Sequence, residues 1–245
     1  MLKPERKQDK KNHISFMKLS CFLFFTITVF SIVNCHNKEE KKIITPTLKE
    51  EKTIQKQVVK KSWDSLKRHN VEAFFTEYEK ENKETKVLIK TKLGNIKIRL
   101  YNDTPIHRAN FIFLTKIEYF NTTVFYRVAK NFVIQGGNSD DAYTMKQRKK
   151  YGNYLIKPEF RSHRKHKYGA VAAARHWENN PNKLSSPFEF YIVQNRNGAH
   201  HLNNEHTVFG EVISGFSTMD KIANLEVGVD EWPKIDLHME VEIVN

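Results

Sequence analysis

From residue 86 onward the chain alternates between two phases of side chain. Val87, Ile89 and Thr91 stand against Leu88, Lys90 and Lys92; Ile96, Ile98 and Leu100 then stand against Lys97 and Arg99, with Gly94-Asn95 just ahead of them. Two adjoining runs of period two predict a β-hairpin with a two-residue turn. The pattern then changes. Thr104 and Pro105 supply an N-cap and a proline for the first helical position, and Ile106, Ala109, Phe113 and Ile117 recur at helical spacing, which predicts a helix. Residues 124–128, 132–135, 170–174, 188–193, 208–213 and 237–244 read as further strands. A second helix fits 217–225, with Phe216, Met219, Ile222 and Ala223 on one face. Many short strands with two helices predict a mainly β fold, a closed antiparallel barrel. No internal repeat is present.

Ahead of this region the pattern is different. Residues 19–33, LSCFLFFTITVFSIV, are apolar, preceded by Lys10, Lys11 and Lys18 and followed by Asn34 and Cys35. A membrane span takes about 20 apolar residues, so this run has the length of a secretory signal's apolar core. Ile32-Val33-Asn34-Cys35 resembles a bacterial lipobox, in which the cysteine becomes the lipidated first residue; Asn34 departs from the small residue usual there. The expectation is a lipoprotein signal over 1–34, with Met17 a second candidate start, and a membrane anchor on Cys35 in the cell envelope. Residues 36–62 are rich in Lys and Glu. Trp63, Leu66, Val71, Phe74, Phe75 and Tyr78 follow, so 35–85 reads as a charged tether ending in a short helical adaptor over 63–82.

Charge and cysteine usage narrow the picture. The chain has 245 residues, a net charge of +13 and two cysteines. Cys21 lies in the apolar run, so a processed chain keeps Cys35 alone and forms no internal disulfide. The basic balance suits anionic membrane surfaces or nucleic acid. Lys146, Arg148, Lys149 and Lys150, interleaved with tyrosines, read as a solvated insertion loop rather than a nucleic-acid surface, and no nucleic-acid partner is expected.

Candidate chemistry concentrates in residues 125–138, FYRVAKNFVIQGGN. Arg127 sits among bulky apolar residues and keeps its proton at any ordinary pH, so it can donate hydrogen bonds and present charge but not act as a base. On these residues alone an ordinary amphipathic strand is the simpler reading of the run. His200, His201 and His206 carry no zinc-like spacing, and no metal is expected. Ser185 and Ser186 lack the G-x-S-x-G turn of a hydrolase. Gly136-Gly137 is explained by a tight backbone passage rather than a phosphate loop.

Taken with FEFYIVQ and HLNNEHTVFGEV further on, the run resembles the cyclophilin-type peptidyl-prolyl cis-trans isomerases over residues 86–245. The resemblance implies an eight-stranded closed barrel capped by two helices, an Xaa-Pro segment bound in an outer groove, and no cofactor. It places the catalytic arginine on Arg127 and the glutamine that steadies it on Gln135. The proline pocket falls on Phe132, Val133, Tyr191, Leu202 and His206, with His201 where some members carry tryptophan. Substrate-backbone contacts fall on Ala174 and Arg175. Glu189 occupies the place of a groove glutamine, where its carboxylate could pair with Arg127 or Arg175. Two functions follow: an isomerase assisting exported proteins to fold, or a proline-peptide-binding module weakened in turnover by Glu189.

Overall fold

The hairpin forms because each strand can bury one phase of its side chains. β1 (Lys86–Thr91) and β2 (Gly94–Leu100) pair antiparallel, with Thr91 facing Gly94. The turn is therefore Lys92-Leu93, and Gly94-Asn95 already belongs to β2. The Thr91 hydroxyl closes it, accepting from the Leu93 backbone N–H at 3.1 Å and donating to the Gly94 carbonyl at 2.8 Å. The structure, a computed structural model, describes residues 66–245. The apolar run at 19–33, the lipidation expected on Cys35 and most of the 35–85 tether lie outside the described residues. Among the described residues no helix is long and apolar enough to cross a membrane.

Among the described residues four α-helices accompany the sheet, where the pattern predicted two besides the adaptor. α1 (Val71–Glu81) is the end of the expected adaptor. Its Phe74, Phe75 and Tyr78 meet Phe113 of α2 (Pro105–Lys116) edge-on, with ring centroids 5.7, 5.8 and 5.7 Å apart. Arg108, 2% exposed, ties the two helices by donating to Glu79 at 2.8 Å and to the Asn82 carbonyl at 3.1 Å. Thr104 stands at the N-cap of α2, but its hydroxyl does not cap. Glu159 does that work from across the fold, accepting from the backbone N–H groups of Ile106 (3.2 Å) and His107 (2.9 Å), where a carboxylate also complements the helix dipole. α3 (Ala142–Tyr151) replaces the expected insertion loop. Asp141 caps it through the Tyr143 N–H at 2.7 Å. With Thr144 alone buried, it has no apolar stripe for periodicity to detect. α4 (Phe216–Ala223) lies where the second helix was predicted.

The remaining strands are β3 (Val124–Ala129), β4 (Val133–Asn138), β5 (Ala170–Ala173), β6 (Phe190–Val193), β7 (Val208–Ser214) and β8 (Glu240–Ile243). All eight form one antiparallel sheet in the order β3-β4-β6-β5-β7-β2-β1-β8. The expected closure does not occur. β8 keeps only four residues, all paired with β1. β3 forms no continuous ladder with the chain ahead of β8; it meets it at the Val124–His238 bridge, at the bonds of Phe125 and Met239 with Leu237 and Thr123, and at Val128 N–H to Glu231 O. The chain before it, 226–234, folds on itself through Gly228 N–H to Trp232 O (2.8 Å) and Lys234 N–H to Glu226 O (2.9 Å). Backbone committed to that loop cannot also complete a ladder, so the sheet is a curled, open half-barrel.

Alternation along the strands divides the core in two. Ile134, Val171, Phe190 and Ile192 point into the main core with Phe111, Phe120 and Phe209. Val133, Ala172, Tyr191 and Val193 point to the other face with Leu202 and Val208, in a second cluster on which Phe132 packs. That outer face carries the candidate site.

Candidate active site

A β-bulge decides where Arg127 goes. Phe125 faces Gly136 and Arg127 faces Gln135, so Tyr126 is an extra residue in β3. Strict alternation would send Arg127 inward with Phe125; instead Phe125 and Val128 are both in the main core and Arg127 emerges on the outer face. Gly137 serves the same stretch, with φ +92° and the Phe188 carbonyl 2.0 Å from where a Cβ would stand. No L side chain fits there.

Arg127, Phe132, Val133, Gln135, Ala174, Arg175, Tyr191, Leu202 and His206 line one cavity of about 270 Å³, together with Trp177 and His201. Nine of the ten predicted groove residues thus converge from strands β3 to β6 and the segment before β7. Phe132 sits at the end of a turn fixed by its N–H to Ala129 O (3.0 Å) and by Gln194 N–H to its own carbonyl (2.8 Å). Its ring stacks on His201 at 5.6 Å, and the Arg127 guanidinium carbon lies 5.9 Å from the ring centre.

Gln135 does not hold Arg127. It donates to the Tyr126 hydroxyl, whose pKa burial raises. The partner of Arg127 is Glu231, 104 residues away, whose carboxylate accepts from Nε at 2.7 Å. Among the described residues, the two terminal nitrogens of Arg127 have no hydrogen-bond partner.

The opposite wall is stiffened by a second set of bonds. The Arg175 side chain donates to the Glu205 carbonyl and carboxylate, both at 2.7 Å, and stacks 4.0 Å from the Trp177 ring. Lys183 adds a 2.6 Å bond to Glu205 and, with Arg175, holds that carboxyl below its usual pKa. His206 Nδ1 donates to Ala173 O at 3.0 Å. Burial, and secondarily the Arg175 charge, lower the His206 pKa, so its ring is a neutral wall. Beneath lies His166, wholly buried. Its Nδ1 meets Asn203 Oδ1 at 3.0 Å, which also accepts the His166 backbone N–H, so Nδ1 carries the proton and Nε2 accepts from the Tyr191 hydroxyl at 2.9 Å. Burial brings the His166 pKa down to about 4. Trp177, His166, Glu205 and Glu231 were not among the predicted site residues.

Glu189 stands apart. It pairs with Arg148 of α3 and lines a neighbouring cavity of about 340 Å³ with Phe188, Tyr154 and His176, so neither expected partner, Arg127 or Arg175, is the one it meets. The basic run 146–150 thereby gives one arginine to the fold. Ser185, His107 and Glu159 form a chain of 3.0 and 2.6 Å bonds, but Ser185 is 1% exposed and Glu159 is occupied at the start of α2. That chain is a strut joining α2 to the Ile156–Ser185 bridge. Among the described residues no group of three His, Cys, Asp or Glu is disposed to hold a metal.

A curled antiparallel sheet presents an arginine beside an apolar pocket on its outer face. The family model "Cyclophilin type peptidyl-prolyl cis-trans isomerase/CLD" matches residues 86–243. The chain belongs to that family and is a peptidyl-prolyl cis-trans isomerase. It is 37% identical over 143 residues to a peptidyl-prolyl cis-trans isomerase of Acinetobacter baylyi, covering 58% of this chain and 73% of the relative. Peptidyl-prolyl cis-trans isomerase-like 3 of Gallus gallus is 33% identical over 156 residues, covering 63% and 92%. A cyclophilin-type isomerase of Cryptosporidium parvum, solved in the presence of the dipeptide Ala-Pro, superposes with a TM-score of 0.55 at 25% identity, covering 65% of this chain and 99% of that one.

Proposed function

We propose that the groove binds an Xaa-Pro segment and that Arg127 stabilises its amide in the twisted state. The observation that carries this reading is the convergence of Phe132, Val133, Tyr191, Leu202 and His206 around one cavity with the Arg127 guanidinium at its edge. The dipeptide in the Cryptosporidium structure supports the substrate class.

The chemistry asks little of a protein. Amide resonance sets a barrier of about 18–20 kcal/mol to rotation. Cis and trans Xaa-Pro lie within about 1 kcal/mol of each other, so the barrier and not the equilibrium limits exchange. No covalent bond is made or broken, and the enzyme has only to bind the twisted amide more tightly than either planar form. Twisting returns the lone pair to the prolyl nitrogen. A terminal N–H of Arg127 directed at that nitrogen is matched by charge present only in the transition state. The apolar walls grip the ring, so that the preceding carbonyl turns against a fixed proline. A binding module weakened by Glu189 has lost its motive, since that carboxylate is paired with Arg148.

We further infer that the enzyme works in the cell envelope on exported chains, anchored through a lipid on Cys35. The apolar run at 19–33 and the cysteine that follows it support this.

Exchange spectroscopy on an Ala-Pro peptide tests the groove. Ala174→Trp crowds the cavity that Ala174 lines and is expected to remove catalysed exchange, with a wild-type circular dichroism spectrum separating a blocked groove from an unfolded chain. Undiminished exchange would move the reaction elsewhere.

A further inference from the structure

Arg127 owes its direction to a loop that no motif marks. Residues 226–234 form a closed turn, with the Val227–Pro233 bridge and the Gly228–Trp232 bond at its neck and Glu231 at φ +64° near its far end. A non-glycine residue in that region costs on the order of 1–3 kcal/mol and persists only where its surroundings impose it. Here both polar ends of Glu231 are engaged on consecutive residues of β3. Its backbone carbonyl accepts from Val128 N–H at 2.8 Å, and its carboxylate accepts from Arg127 Nε at 2.7 Å. Trp232 packs its ring 5.5 Å from Tyr126, the bulged residue that takes the Gln135 side chain. The loop therefore grips β3 at 126, 127 and 128 together.

We propose that Glu231 is the positioning residue of the reaction. By occupying Nε it fixes the plane of the guanidinium and leaves both terminal nitrogens for the twisted amide; this rests on the role given to Arg127 above. A fold-stabilising purpose accounts poorly for the pair, whose side chains are 36% and 43% exposed, because pairs so open to water contribute only about 0.2–1 kcal/mol. What a bidentate grip on adjacent residues does provide is direction. The position expected to do this, Gln135, is turned to Tyr126 instead, so the task has passed from the neighbouring strand to the loop.

Steady-state exchange kinetics on an Ala-Pro peptide test the assignment, with wild type, Glu231→Ala, Glu231→Gln and Arg127→Ala compared. Glu231→Ala is expected to lower kcat by about three- to fivefold with KM unchanged. Glu231→Gln keeps an acceptor for Nε and is expected to retain more than half of the wild-type kcat. The Arg127 Nε–H resonance should be resolved in wild type and Glu231→Gln, and collapse into the exchange-broadened arginine envelope in Glu231→Ala. A Glu231→Ala enzyme with wild-type kcat, an equal loss in both variants, or a loss confined to KM would each overturn the proposal. The two readings fail separately: full turnover in Arg127→Ala removes the role of the arginine, whereas a dead Arg127→Ala beside a fully active Glu231→Ala removes only that of Glu231.

Discussion

A guanidinium on a free side chain points everywhere, and a charge that points everywhere does not select a twisted amide over a planar one. Arg127 is given direction by three residues of unlike kind: Tyr126, whose bulge turns it outward; Phe132, whose ring lies beside it; and Glu231, which takes its Nε. Across the pocket, His166 shows how much the outer face depends on neutral histidines. With a pKa of about 4 in the fold against 6.5 unfolded, it is uncharged in both states above pH 6.5, and protons favour the unfolded chain as pH falls below that value. The expected result is a loss of roughly 3 kcal/mol between pH 6.5 and 4 from this residue alone, to which His206 adds in the same direction. Urea titrations across that window check it, with His166→Gln giving the flatter profile; equal slopes would contradict it. At this scale the sequence is legible where function lies in a local run. Arg127, Phe132, Val133 and Gln135 stand within nine residues, and Tyr191, Leu202 and His206 in short motifs of their own. Glu231 is illegible because it acts across 104 residues of chain, from a loop whose composition signals only a turn.

At the scale of elements, periodicity located each strand core and the α2 and α4 helices, because those segments bury a regular phase. It failed where the structure departs from a regular phase for a reason. The bulge at Tyr126 cannot be seen in an alternation that it interrupts. α3 has no apolar stripe; its cap at Asp141 and the Arg148–Glu189 pair hold it instead. Thr104 and Pro105 mark the start of α2 correctly, yet the capping acceptor is Glu159, brought in from 53 residues away. Glu189 reads as a groove residue because the resemblance sets it in the place of a groove glutamine. Ala174 accepts the intervening Ser186 N–H, and the chain at 186–189 turns its carboxylate to the α3 side.

Over the whole molecule the open edge between β3 and β8 has a use. A closed ladder would spend the backbone of 226–239 on strand pairing, whereas the open sheet leaves it free to form the loop that meets Arg127. The two faces of the curl then divide the labour: the main core holds the fold and the second cluster carries the pocket. α1 adds its own aromatic rings at Phe113. Attachment to a membrane is tested on the full chain. Mass spectrometry of the mature N-terminus is expected to find a diacylglyceryl group on Cys35, with Cys35→Ala releasing the protein from membranes; an unmodified Cys35 would remove the anchor. If one arginine stabilises the twisted amide electrostatically, the kcat for Ala-Pro exchange in Arg127→Ala at saturating peptide reports it. Removal of one aimed donor is expected to cost on the order of a hundredfold in kcat with peptide affinity nearly kept; an unchanged kcat, or a loss of affinity alone, would contradict it.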